Sequence, residues 1–185
     1  RPAPRSGPGL RLGVPLVGGF ELGHELGEEP GPFVVVGHGI VVDQMRYDYI
    51  DKYWNKFGND GFKRLVNEGY NCKNTNYNYV PTFTGPGHAS IYTGATPSTN
   101  GIISNQWINR ETRKSVYCSE DNSVTTLGST SARGQMSPQN LISSTIGEEL
   151  RKKSQNKSKV IGIALKDRGA ILPAGHNATS AYWYY

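Results

Sequence analysis

The chain has 185 residues, a formal charge of +5 and two cysteines. That length holds one domain or part of a larger one, and two cysteines exclude a disulfide-dense scaffold or a four-cysteine zinc module. A mean hydropathy of −0.54 is too polar for a membrane bundle, and no apolar run nears the roughly 20 residues of a spanning helix.

Ten of the 23 glycines and six of the 11 prolines fall within residues 1–40. These breaks leave no helical or strand period in 1–32, which reads as a disordered or foreign segment. It makes a poor secretory signal, because Pro15, Gly18 and Gly19 interrupt its apolar stretch and Glu21, Glu25, Glu28 and Glu29 follow. The domain is expected over 33–185.

Residues 33–42 (FVVVGHGIVV) form a nearly continuous apolar run, as in a strand buried on both faces of a parallel sheet. Asp43 follows at once. Residues 47–57 place Tyr49, Ile50, Tyr53, Trp54 and Phe57 on one helical face, with Gly58 as the stop. A short helix fits 61–68, closed by Gly69, and 75–80 reads as extended up to Pro81. Thr84-Gly-Pro-Gly followed by ASIYT reads as a tight turn feeding a short helix. Ser137-Pro138 marks a helix start running to about Lys153, with Leu141, Ile142, Thr145, Ile146 and Leu150 inward. Residues 159–165 (KVIGIAL) read as a second buried strand, followed at once by Lys166, Asp167 and Arg168. Strands alternating with helices give an α/β fold, whose ligands sit beyond the carboxyl ends of the strands.

Three clusters carry chemistry. Asp43 at a strand end suits a divalent cation, or caps the helix that follows. Thr84 at a helix N-terminus has backbone N–H groups and the helix dipole beside it, which favour an anion. Its hydroxyl is a nucleophile only if activated, and it equally serves as a structural cap. His88, four residues on, is a base, a ligand or a group that packs the turn. Lys166 and Arg168 suit phosphate oxygens, Arg168 by its planar fork, or else sit in a solvated loop. The basic run Arg151–Lys159 lacks interleaved aromatics and reads as a solvated helix end, so no nucleic acid is expected as a specific partner.

VVDQMRYDY, NYVPTFTGPGHASIYTGATPSTNGI, SNQW and IGIALKDRGAILPAGHNATSAYWYY together resemble the alkaline phosphatase superfamily, in particular the PafA-like bacterial alkaline phosphatases, relatives of the nucleotide pyrophosphatase/phosphodiesterases. The resemblance runs from about Phe33 to Tyr185. It implies a sheet with helices on both faces, present here as its N-terminal part. It implies a phosphate monoester hydrolase with two zinc ions, acting on small phosphate monoesters in the periplasm or secreted. On this resemblance Asp43 binds zinc. Thr84 contacts zinc and is the nucleophile that becomes phosphothreonine. Asn105, Lys166 and Arg168 bind phosphoryl oxygens, the last two marking the monoesterase branch. After Arg168 only His176 remains as a titratable ligand candidate, and the chain stops on Tyr182, Trp183, Tyr184 and Tyr185. An N-terminal fragment without turnover of its own is therefore expected. The alternatives are a phosphodiesterase or nucleotide pyrophosphatase of the same superfamily, and a non-catalytic anion-binding module. Whether Cys72 and Cys118 pair is left open.

Overall fold

The structure is a computed structural model that describes residues 17–22, 35–126 and 130–184. The rest of the 1–32 segment, read above as disordered or foreign, lies outside the described residues. The chain divides into two compact units, Arg1–Tyr77 and Asn78–Tyr185.

In the first unit β1 (Val17–Leu22) pairs antiparallel with β2 (Val35–Ile40), Val17 opposite Ile40 and Leu22 opposite Val35. The 17–22 stretch carries no strand period. A ladder, however, needs only N–H and C=O groups, which Gly18 and Gly19 supply like any other residue. The strand expected to be buried in a parallel sheet is corrected on both points. Its partner is antiparallel, and residues 37–40 are exposed. An apolar run records what a strand is able to bury, while a two-stranded ribbon has no second layer to bury it against.

The helix expected over 47–57 shortens to α1 (Tyr49–Lys52), followed by a 3-10 turn at Trp54–Lys56. Its intended face is only partly covered, with Tyr49, Ile50, Trp54 and Phe57 half-buried and Tyr53 exposed. Aromatic residues lose rotamer freedom in a helix, and so little packing does not hold a longer one. The next element opens with a wide turn at Asn59–Lys63, in which Gly61 leaves helical backbone. It continues as α2 (Arg64–Glu68), ended by Gly69.

In the second unit α3 (Thr84–Thr93) begins at the expected turn and ends at Gly94, whose φ of 65° suits glycine. After the single turn α4 (Pro97–Asn100) comes a hairpin that sequence reasoning missed, β3 (Gln106–Ile108) against β4 (Ser115–Tyr117). The helix expected from Ser137 is also corrected, since α5 is only Ile146–Lys153. Residues 139–144 do not join it because their side chains bond elsewhere. Asn140 Nδ2 donates to the Tyr117 and Cys118 carbonyls, and Ser143 Oγ donates to the Thr99 carbonyl. Such local competition is what keeps Asn and Ser out of helix interiors. The true start is a capping box. Glu148 N–H donates to Thr145 Oγ1 at 3.2 Å, and Thr145 N–H donates to Glu148 Oε2 at 2.8 Å. Leu141 and Thr145 are buried as expected, whereas Ile142, Ile146 and Leu150 face solvent.

β5 (Ile161–Ala164) and β6 (Ser180–Trp183) run parallel, connected by α6 (Asp167–Ala174). This β-α-β unit makes the chain a mixed α/β fold. α6 packs on one face of the pair and against α3. Gly162 permits that approach, because a Cβ there would stand 2.2 Å from the Ala170 carbonyl oxygen. The other face is open among the described residues, with Ile163 77% exposed. Burial of this strand on both faces is thus corrected to burial on one. The core of the unit is Ala89, Ile102, Cys118, Leu141 and Leu172, with Trp107 and Tyr117 packed against it.

Glu148 ties α5 to the end of α6. Its Oε1 also accepts the His176 N–H at 3.1 Å, and the whole residue is buried. Thr145→Ala should lower unfolding stability by about 1 kcal/mol. Glu148→Ala should lower it further, since each buried N–H left without an acceptor is worth roughly 1–3 kcal/mol. Urea midpoints of the two variants decide the point, and equal midpoints would contradict this account.

Candidate functional site

Thr84 is the first residue of α3 and half-buried, and Phe83 before it is extended (φ −63°, ψ 166°). The Gly85 N–H, one of the donors a helix start leaves without an intrahelical partner, donates to Asn105 Oδ1 at 2.7 Å. Pro86 has no N–H to satisfy. The Gly87 N–H returns to the Phe83 carbonyl at 2.8 Å. His88, buried, contacts the Thr84 carbonyl through Nδ1 at 2.8 Å. A carbonyl only accepts, so Nδ1 carries the proton. His88 therefore braces the turn that carries Thr84.

Asn105 precedes β3. Its backbone carbonyl accepts the Cys118 N–H at 3.0 Å. With Oδ1 given to Gly85, its remaining polar group is the Nδ2 amide, a donor. No room separates these parts. A Cβ on Gly85 would lie 3.0 Å from Asn105 Oδ1, 3.2 Å from Cys118 Sγ and 3.5 Å from Ile102 Cγ2.

Lys166 and Arg168 are not in a loop but at the start of α6, Lys166 as the N-cap residue and Arg168 in the first turn. Lys166 is exposed and Arg168 half-buried. Arg168 Nη1 donates to the Tyr117 hydroxyl at 2.7 Å, with Cζ 5.8 Å from the ring centroid. Tyr117 leads directly into Cys118, which abuts Gly85. Thr84, Asn105 and Arg168 are thus gathered around one short segment. An amide donor and a guanidinium near a helix start are groups of the kind that suit an anion.

Asp43 lies in the first unit, in an exposed turn three residues beyond the end of β2. It does not cap α1, whose cap position is Asp48. Among the described residues no three His, Cys, Asp or Glu side chains gather into a set able to hold a metal ion. The residues present therefore do not fit the two zinc ions implied by the resemblance. Cys72 and Cys118 are both free thiols, one exposed and one buried.

Sequence reasoning missed Tyr117, Ser119 and the use made of Asp167. Nothing in SVYCS marks a site, and these residues meet α6 only through contacts 48 to 51 positions apart in the chain. Burial pushes the Tyr117 hydroxyl up to about 12, with the Arg168 hydrogen bond pulling the other way. Burial likewise pushes the Cys118 thiol up to about 11.

The type I phosphodiesterase / nucleotide pyrophosphatase family model matches residues 38–185. Alkaline phosphatase PhoV of Synechococcus elongatus is 53% identical over 153 residues, which are 83% of this chain and 28% of that protein. Alkaline phosphatase PafA of Elizabethkingia meningoseptica is 48% identical over 174 residues, 94% of this chain and 32% of that protein. The crystal structure of wild-type alkaline phosphatase PafA matches with a TM-score of 0.75 at 50% identity, over 77% of this chain and 28% of that one. The chain thus spans less than a third of the length of the curated relatives it matches.

Gly85→Ala should lower stability by about 1–3 kcal/mol, because its methyl group must displace Asn105 or Cys118. An unchanged urea midpoint would mean the node is looser than its distances imply. Stability should also fall with rising pH. A raised pKa means that the native state keeps its proton after the unfolded chain has lost it. The loss starts near the ordinary thiol value of 9.0 and runs to about 12 as Cys118 and then Tyr117 titrate. Urea unfolding across that range should show a shallower decline for Cys118→Ala than for the native chain.

Proposed function

We propose, from the premise that this chain belongs to the type I phosphodiesterase / nucleotide pyrophosphatase family of the alkaline phosphatase superfamily, that it carries the nucleophile and the phosphoryl-oxygen contacts of a phosphate monoester hydrolase. The observation that carries the reading is the 2.7 Å bond from the Gly85 N–H to Asn105 Oδ1. It fixes an amide donor beside the residue that starts α3, where a phosphoryl group attacked by Thr84 would place an oxygen.

The chemistry is a two-step transfer. The Thr84 hydroxyl oxygen forms a bond to phosphorus as the bond to the leaving oxygen breaks, its proton ending on the released alcohol, giving a phosphothreonine. Water then attacks phosphorus, the bond from phosphorus to the Thr84 oxygen breaks, one water proton restores the Thr84 hydroxyl and inorganic phosphate leaves. The chain's own residues bind and aim. Asn105 Nδ2, Lys166 and Arg168 face the non-bridging oxygens, whose charge shifts during transfer. No step is assigned to a metal, since the described residues do not gather a ligand set. The substrate class is small phosphate monoesters, which agrees with the phosphatase names of the relatives.

The family description favours a second reading, a phosphodiesterase or nucleotide pyrophosphatase. Two cations at the start of α6 weigh against it, because a monoester dianion carries one more charged oxygen than a diester and gains more from them.

Acid quenching of the full-length protein during turnover of a phosphate monoester should leave one phosphoryl group on the peptide containing Thr84, detected by mass spectrometry. Thr84→Ala should leave none. A labelled peptide elsewhere refutes the assignment. Lys166→Ala with Arg168→Ala should depress monoester turnover far more than diester turnover. Equal losses would favour the diesterase reading.

A further inference from the structure

Arg168 is not a free side chain that finds its ligand by chance. Its Nη1 is bonded to the Tyr117 oxygen at 2.7 Å, and its cation lies over the same ring. Arginine has no lone pair to accept with, so Tyr117 is the acceptor there. The phenol proton goes the other way, to Asp167 Oδ1 at 2.8 Å. The second carboxylate oxygen, Oδ2, takes the Ser119 hydroxyl at 3.2 Å. Cation, phenol, carboxylate and hydroxyl form one ordered chain of bonds from the end of β4 to the first turn of α6. The phenol stands between the two charges. The guanidinium therefore meets an oxygen of Tyr117 and not the carboxylate of its own neighbour in sequence. Arg168 Nε is buried and makes no hydrogen bond among the described residues, so the bond to Tyr117 is the one that orients the guanidinium here.

We propose that Tyr117 and Asp167 are positioning residues that hold the Arg168 guanidinium, out of a direct ion pair with Asp167, for the doubly charged phosphoryl group of a monoester. The inference rests on the reading of Arg168 as a phosphoryl-oxygen ligand. A long side chain frozen only on binding forfeits part of its interaction to lost rotamer freedom. Holding it beforehand removes that loss. Tyr117 also keeps Arg168 from collapsing onto Asp167, which would cancel the charge that distinguishes a monoester from a diester.

The test is a double-mutant cycle in the full-length protein with an aryl phosphate monoester and an aryl phosphate diester. Tyr117→Phe keeps the ring and removes only the oxygen. It should lower kcat/KM for the monoester by about tenfold, the scale of a hydrogen bond to a charged group, and leave the diester within about twofold. Added to Arg168→Ala, it should bring no further loss. Equal losses on both substrates, or a loss that adds in full to that of Arg168→Ala, would mean Tyr117 is merely structural. That outcome would leave the phosphomonoesterase reading standing. If Arg168→Ala is itself silent on monoesters, that reading falls and the positioning role falls with it. A second measurement is independent of turnover. Arginine-selective 15N spectra should show a separately resolved Arg168 Nη1 in the native protein, averaged with Nη2 in Tyr117→Phe. An averaged signal in the native protein overturns the proposal.

Discussion

The second unit is organised around a place where a side chain is excluded. Gly85 lies so close to Asn105, Cys118 and Ile102 that a methyl group fits only if a neighbour shifts. The same closeness lets the Gly85 N–H reach Asn105 Oδ1. Once that bond forms, the start of α3, the loop before β3 and the end of β4 are fixed to one another. Pro86 and Gly87 fit the constraint, one by lacking a donor and the other by adding no bulk. A hydrogen bond sheltered from water is electrostatically stronger than one in solvent. Ile102 and Cys118, both fully buried, provide that shelter.

α6 packs closely on α3. His88 bonds the Thr84 carbonyl within α3, and its Nε2 sits 3.9 Å from where a Cβ on Gly169 would be. Small residues on α6 allow the approach, as Gly162 does beneath it. At the far end of α6 the buried Glu148 carboxylate collects the N–H groups of Thr145 and His176. A buried carboxylate is tolerable because its oxygens are occupied. The helix that carries Arg168 is thereby held at both ends, and a held helix presents its first-turn side chains at a fixed place.

Tyr117 bridges these two arrangements. It continues the strand whose next residue packs on Gly85, and its oxygen is the acceptor for Arg168. Burial extends the pH range over which the phenol stays protonated, and the protonated phenol donates to Asp167 while accepting from Arg168. An ionised phenolate would lose the donor half of that role. The neutral state of one tyrosine thus connects packing in the core to charge at the surface of α6.

Sequence alone determined the α/β class, the helix beginning at Thr84, the strand within 159–165 and the residues that carry the family resemblance. These follow from short-range signals: apolar runs, glycine and proline punctuation, and motif spacing. It misjudged the helix before Lys153, because Ser137-Pro138 is a conspicuous start signal. The capping box at Thr145 and Glu148 was equally local, and competing side-chain bonds at Asn140 and Ser143 decided between them. It misjudged the burial of the strands, since an apolar run says nothing of how many layers lie above it. Only the tertiary structure decided that Asn105 bonds the turn after Thr84, that Lys166 and Arg168 open a helix, and that Tyr117 and Ser119 reach Asp167. Those contacts join residues 20 to 51 positions apart. They depend on the close approach of backbones, and no local pattern of residue types encodes that.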